Sequence, residues 1–312
     1  MSQSDASPFR AQLPPFPDAP PEHRGHGELR FRYEDIAQDG RLGARPTSHA
    51  IGAAVWRAVL DQHPITPALL SRGILPILTR LVVSVGGGPI GVRARVWADG
   101  GFELVESVDD SGKSRFRADM WSEVRGIRSR TFGPPGEPAD EIALGAMWAE
   151  HVLTRPFAPA GERSVERLPE GLSASRHVSH VPAHRAVELP EGARWLDASW
   201  EMDATEIALG VGHTDSNQHV NSLVYPQLLE DAALRRLAAR ALPFDRFVTR
   251  FEMAYRKPSF AGDRLRLAAR LYERTISGGR TVHGLAGVFA SAEEHTRGLE
   301  RARVFGTAEL EP

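Results

Sequence analysis

The stretch GHTDSNQHVNSLVYPQLLEDAALRRLAARAL, residues 212–242, holds a change of pattern. Its opening is polar, with Asp215, Asn217, His219 and Asn221 at every second position. From there the pattern turns helical. Leu223, Leu228, Leu229, Ala232, Leu234 and Leu237 recur at the spacing of one helix face. Four strand-like runs follow: RFVTRFEMAYR (246–256), DRLRLAARLYE (263–273), RTVHGLAGVFA (280–290) and RARVFGTAEL (301–310). KPSFAGD (257–263) and ISGG (276–279) carry turn residues between them. Ahead of the loop, RWLDASWEMDATEIALG (194–210) is extended in character. A helix lying across an antiparallel sheet that curls round it is an α+β layer arrangement.

The first half repeats this plan. ELRFRYEDIA (28–37) reads as a strand with Leu29, Phe31 and Tyr33 on one side. HAIGAAVWRAVLDQH (49–63) is apolar on most of its circumference, which predicts a buried helix. ILTRLVVSV (77–85), IGVRARVWA (90–98), FELVESVDD (102–110) and SRFRADMWSEVRG (114–126) are strand-like, with GGGP, DGG and DSGKS as turns. GPPGEPAD (133–140) is a break, and EIALGAMWAEHVLTR (141–155) is a helix candidate. Residues 157–192 are Pro-rich and mixed, which fits a long surface connection. Residues 1–27 hold six prolines and few large apolar groups, so a disordered or loosely docked arm is expected. The expected organisation is an arm (1–27), a first unit (28–130), a linker with one helix (131–194) and a second unit (195–312).

Composition narrows the functional classes. The 312 residues are 41% hydrophobic and 25% charged, as in a globular chain. A net charge of −2 gives no global sign of a nucleic-acid partner. With no cysteine, disulfides, thiolate metal sites and a Cys nucleophile are excluded. No apolar run reaches the roughly 18 residues of a membrane span. The default expectation is a soluble, cytoplasmic protein.

The string Asp215-x-Asn217-x-His219-Val220-Asn221, directly before a buried-type helix, resembles the DxNxHVN motif of the plant and bacterial acyl-ACP thioesterases, a tandem hotdog family. The helix after it fits too, including Tyr225 and Glu230. FRYEDIAQDGRL (31–42) resembles the opening of that family's first unit, and AYRKPSFAGD (254–263) stands where the family has a YRR-type strand and turn. The resemblance spans roughly residues 28–130 and 195–312. It implies a double hotdog, with two antiparallel sheets each wrapped around a long central helix. It also implies hydrolysis of an acyl thioester on acyl carrier protein or coenzyme A. The chain departs from the plant enzymes where a Glu and a Cys contribute to catalysis, for those places read Pro258 and Ser259.

The residue chemistry fits that reaction. Hydrolysis needs an activated water, a grip on the carbonyl oxygen and a slot for the acyl chain. Asp215 and His219 can act as base or as an acid–base pair, and Asn217 can place a water. The N–H groups at the start of the following helix can hold an oxyanion, aided by the helix dipole. Asn221, Tyr225, Ser259, Arg256 and Lys257 are the expected substrate-binding residues. Arg235, Arg236 and Arg240 add cations that suit carrier phosphates or an acidic carrier protein.

The first half has DIAQDGR where the second has DSNQHVN, so it reads as a degenerate unit that shapes the cavity. One active site per chain, at the seam of the units, is expected. His177, His180 and His184 have ligand-like spacing, but Pro182 interrupts them and no nearby acidic ligand completes a set. No metal or other cofactor is therefore expected. A homodimer of double units and a monomer acting as a pseudo-dimer both fit. Two rivals share the fold: a dehydratase or acyltransferase on carrier-bound substrates, and a non-catalytic acyl-thioester-binding protein.

Overall fold

The computed structural model describes residues 7–108, 112–131, 140–276 and 278–312. Residues 1–6 of the arm, Asp110 and Ser111 of the turn DSGKS, Ser277 of the turn ISGG, and all but Asp140 of the break GPPGEPAD lie outside the described residues. The chain divides into two compact units, one ending at Val181 and the other spanning Pro182–Pro312.

The first unit is a sheet with a helical segment against it. Its strands are β1 (Arg24–Leu29), β2 (Leu75–Val85), β3 (Val96–Val108), β4 (Ser114–Ile127) and β5 (Glu141–Thr154). They lie in the order β1-β3-β4-β5-β2, with antiparallel neighbours. A short β6 (Arg176–Ser179) runs parallel to the end of β3. The helical segment comprises α1 (Ala44–Thr47), α2 (His49–Ile51) and a π-helical stretch, Gly52–Leu60, with α3 (Ile65–Leu70) after it. Ala50, Ile51, Ala53, Ala54, Val55 and Val59 are buried, as the apolar pattern predicts. The contact with β1 is backbone-close: a Cβ at Gly25 would lie 2.2 Å from the Ala54 carbonyl oxygen. Glycine is what lets the helix approach so near.

Four expectations for this unit need correction. The arm is not loose over its described part. Leu13 and Ala19 are buried with Val82, Trp121, Ala146 and Trp148, and Phe9 and Phe16 pack on them. Burial of these scattered apolar groups offsets the ordering cost that the prolines suggested. Pairing with β3 begins at Arg24, and Tyr33 is 65% exposed, so the first strand lies earlier than 28–37. The DGG at 99–101 is not a turn but runs inside β3, where a Cβ at Gly100 would meet the Trp121 carbonyl oxygen at 2.5 Å. The helix expected at 141–155 is strand β5, paired on both edges with β4 and β2. Buried on both faces, it loses the alternation that marks a strand. The first unit's sheet therefore extends into the supposed linker.

The second unit has β7 (Ala193–Trp195), β8 (Glu201–Met202), β9 (Ile207–Ala208), β10 (Phe247–Tyr255), β11 (Arg264–Thr275), β12 (Thr281–Ala290) and β13 (Val304–Glu311). The order is β10-β13-β12-β11-β7, and β8 and β9 also pair with β11. As in the first unit, the first long strand after the helix pairs with the fourth: β10 with β13, as β2 with β5. Helix α4 (Val224–Ala239) buries Leu229, Ala232, Ala233 and Leu237 completely. A Cβ at Gly287 in β12 would lie 2.5 Å from Leu229, so that glycine makes room for the helix. A short α5 (Ala292–Thr296) follows β12, capped by Ser291 and Glu294 in reciprocal hydrogen bonds.

Candidate active site

The polar loop before α4 is closed by backbone pairing between Thr214 and Val220. Within it, Asp215 N–H donates to the His219 carbonyl (3.2 Å), and Gln218 N–H to the Asp215 carbonyl (2.9 Å). The reversal puts Gln218 at φ 66°, a left-handed conformation. The Asp215 carboxylate holds the turn from inside. Its Oδ1 accepts the Asn217 N–H at 2.8 Å and its Oδ2 accepts Asn221 Nδ2 at 3.2 Å. This is the chemistry for which Asp is favoured in turns.

Asn221 then joins loop to helix. Its Oδ1 accepts Leu223 N–H at 2.8 Å, and its carbonyl accepts Val224 N–H at 3.1 Å. Pro226 has no N–H, so Tyr225 supplies the first helix amide not engaged by Asn221. Among the described residues, neither the Asn217 carboxamide nor the His219 imidazole makes a side-chain hydrogen bond, so both are available to a ligand.

The 256–263 turn lies against this loop. The Ser259 carbonyl accepts Val220 N–H at 2.8 Å, and Ser259 is buried. Burial raises the Tyr225 hydroxyl above its ordinary pKa, while a hydrogen bond with Ser259 pulls the other way. Tyr255, at the end of β10, donates its buried hydroxyl to the Ser222 carbonyl at 2.9 Å. The structure thus brings Asp215, Asn217, His219, Asn221, Tyr225 and Ser259 into one locality.

The expected cations behave differently. Arg256 is spent on backbone, with Nε 2.9 Å from the Ala302 carbonyl and Nη2 2.6 Å from that of Arg301. Lys257 lines an open hollow of about 540 Å³ together with Glu294, Arg297 and Arg301. Arg235 pairs with Asp203, and Arg236 and Arg240 with Asp197, so these helix cations already have acidic partners. His177 pairs with Glu106 at 2.9 Å, and among the described residues no group of three or more His, Asp or Glu is placed to hold a metal ion. No helix of the described residues is long and apolar enough to cross a membrane.

Residue spacing missed the group behind the turn. Arg303 contacts Asp263 and Ser259, and its Nε lies 2.9 Å from Glu294. Burial works to raise Glu294, but the Ser291 N–H, Arg303 and Lys257 outweigh it and hold its pKa at about 2. Only the position of Arg303 opposite the KPSFAGD turn reveals this group, and no local motif marks it.

No protein-family model and no curated protein sequence matches the chain. The fold is similar to that of a solved structure named as an oleoyl thioesterase from Lactobacillus plantarum. The TM-score is 0.56 at 13% identity, over 92% of this chain and 96% of that one. An acyl-ACP thioesterase from Bacteroides thetaiotaomicron matches with a TM-score of 0.49 at 15% identity, over 92% of this chain and 98% of that one. The 12:0-ACP thioesterase from Umbellularia californica gives 0.49 at 13%, over 93% and 94%. Across nearly its whole length, the chain therefore shares the fold of the Lactobacillus plantarum protein.

Proposed function

We propose that the chain hydrolyses an acyl thioester, on acyl carrier protein or coenzyme A, to a free acid and a thiol. The scaffold in this reading is a double hotdog whose second unit holds the reactive loop. The observation that carries it is the Asn221–Asp215 bond at the head of α4. Around that bond stand a carboxylate, the unengaged side chains of Asn217 and His219, and a helix start. The likeness of fold to a protein named as a thioesterase supports it.

Each Asp215 oxygen keeps lone-pair capacity beyond the N–H it accepts. A water placed by Asn217 gives a proton to Asp215 or His219 while its oxygen bonds to the carbonyl carbon. The carbonyl electron pair moves to oxygen, where the Tyr225 N–H and the positive end of α4 stabilise it. The oxyanion then collapses, the C–S pair leaves with sulfur, and the proton passes to the thiolate. Lys257 and the arginines of the hollow suit the phosphates of a pantetheine carrier.

A specific observation favours one rival, a non-catalytic acyl-thioester-binding protein. Both Asp215 oxygens already serve the turn, and Pro258 and Ser259 stand where the plant enzymes have Glu and Cys. The deciding experiment is thiol release from a panel of acyl-CoA and acyl-carrier thioesters, read with a thiol-reactive dye. The protein has no cysteine and gives no background of its own. Asp215→Asn is expected to lower turnover by about 10²–10⁴-fold with the fold intact, and His219→Ala to lower it and alter the pH profile. Wild-type rates in both variants sink the proposed site. No release from any substrate, with acyl ligands still raising Tm, favours the binding protein.

A further inference from the structure

One tether leads from the loop to the rest of the second unit. Among the described residues, the Val220 N–H to Ser259 carbonyl bond is the backbone hydrogen bond that joins 214–220 to a segment outside 210–224. Val220 is the immediate neighbour of His219. A shift of Ser259 therefore acts on the backbone beside His219. The question is therefore what fixes Ser259.

Arg303, the residue before β13, does so from two sides. Its carbonyl accepts the N–H groups of Arg256 (2.8 Å) and Lys257 (3.2 Å), and its own N–H donates to the Phe289 carbonyl at 2.9 Å. Its guanidinium spreads over three groups. Nη1 pairs with the Asp263 carboxylate and lies 3.5 Å from Ser259 Oγ, while Nε pairs with Glu294 Oε2. Asp263 in turn accepts the Phe260 N–H at 3.0 Å, and its carbonyl accepts Leu209 N–H at 2.9 Å. The turn is thus gripped at 256–257 and at 260–263, with Ser259 held in the middle.

We propose that Arg303 is a positioning residue of this site. It fixes the 256–263 turn so that the Ser259 carbonyl holds Val220, and through Val220 it sets where the His219 imidazole stands. The inference rests on the proposed function for its meaning, but its geometry can be tested without turnover. A planar fork suits this task, because it meets two carboxylates and a hydroxyl at fixed angles. Without it, Asp263 and Glu294 lose the cation they share, and among the described residues the remaining cation paired with either is Lys257, 3.4 Å from Glu294. The turn would then relax away from the loop.

The experiment compares Arg303→Gln, Arg303→Lys and Asp263→Asn with wild type, each verified as folded by circular dichroism. The His219 imidazole ¹H–¹³C signal is identified by its loss in His219→Gln. Arg303→Gln is expected to move that signal, while the signal of His26, which pairs with Asp99, stays in place. In the thiol-release assay kcat should fall about ten- to hundredfold, with KM within about twofold. Arg303→Lys should recover part of both changes, and Asp263→Asn should reproduce them in weaker form. If Arg303→Gln does not fold, the Lys and Asn variants carry the comparison. A wild-type His219 signal and kcat in these variants would overturn the proposal while leaving the thioesterase reading intact. A displaced His219 signal in a protein that releases no thiol would support the positioning role and defeat the thioesterase reading.

Discussion

At Asn221 one side chain serves two structures. Its Nδ2 satisfies the Asp215 carboxylate and its Oδ1 satisfies an amide at the start of α4. Asn221→Ala should therefore cost about 1–2 kcal/mol, the range for a lost helix-start acceptor. It should also lower thiol release, because Asp215 is freed to turn; urea unfolding and the dye assay read the two effects separately. A second position makes a cleaner stability test. Ala241, two residues past the end of α4, has φ 52°, and there Leu242 N–H reaches back to the Leu237 carbonyl at 2.9 Å. An alanine there carries a left-handed strain that glycine escapes, so Ala241→Gly should stabilise by about 0.5–1 kcal/mol. An unchanged or lower unfolding midpoint would contradict this. The residue scale also shows how far the site was legible. Asp215, Asn217, His219 and Asn221 were readable as types in a pattern, since few structural loops need all four. Their directions were not readable. Alternate spacing suggests side chains sharing one face, whereas the left-handed Gln218 folds the segment back and turns Asp215 onto its own loop. Arg303 was invisible because its carboxylate partners lie 9 and 40 residues away.

The long strands of the second unit were legible although β10, β12 and β13 are buried almost throughout, because Val, Thr, Phe and Tyr stand in them and turn residues part them. The start of α4 was legible from its helical apolar spacing. β5 was not legible. Its Ala, Leu, Met and Glu residues favour helix, and burial on both faces removes the period that would have argued otherwise. Tertiary pairing on both edges decided its state. The same dependence on partners explains what holds the C-terminal end of α4. Asp197 is fully buried and accepts the Leu271 N–H of β11 at 2.6 Å, while Arg236 at 3.0 Å and Arg240 come to it from α4. One carboxylate thus joins the helix to the sheet edge. Asp197→Ala removes the shared acceptor and leaves two arginines and an amide without it. A loss of about 1–3 kcal/mol is expected, chiefly from the buried Leu271 N–H left without this acceptor, since Arg236 keeps Glu201 and the Arg240 side chain is 42% exposed. Denaturant unfolding followed by tryptophan fluorescence checks it. A loss below about 1 kcal/mol would mean that the arginines find water and the junction holds by apolar packing alone.

Across the whole molecule, burial has set titrating groups against one another. His151 in β5 stacks edge-on to Trp56, and burial holds its pKa down to about 4, with a hydrogen bond to the Ala118 carbonyl opposing. Burial likewise lowers His23, His49 and His283. In each case the unfolded chain takes up a proton before the folded one does, so stability is lost as pH falls below about 6.5. Asp119 in β4 acts in the opposite sense. Burial raises it to about 6 against the pull of Arg117, with Glu150 reinforcing the rise. Here the folded chain binds the proton first, so this group favours folding increasingly as pH falls from about 6 toward 4. Glu294 acts lower still: its contribution is complete above its ordinary pKa of 4.5 and is lost as pH falls toward 2. Between pH 6 and 4 the His151 and Asp119 contributions therefore oppose one another. Removing one side of the balance exposes the other. His151→Gln should gain on wild type as the pH is lowered, by up to about 3 kcal/mol between pH 6.5 and pH 4. Urea unfolding of both proteins at half-unit pH steps measures that difference directly. A constant difference across the range would show that His151 takes its proton in the folded chain as readily as in the unfolded one, and that β5 admits water to the ring.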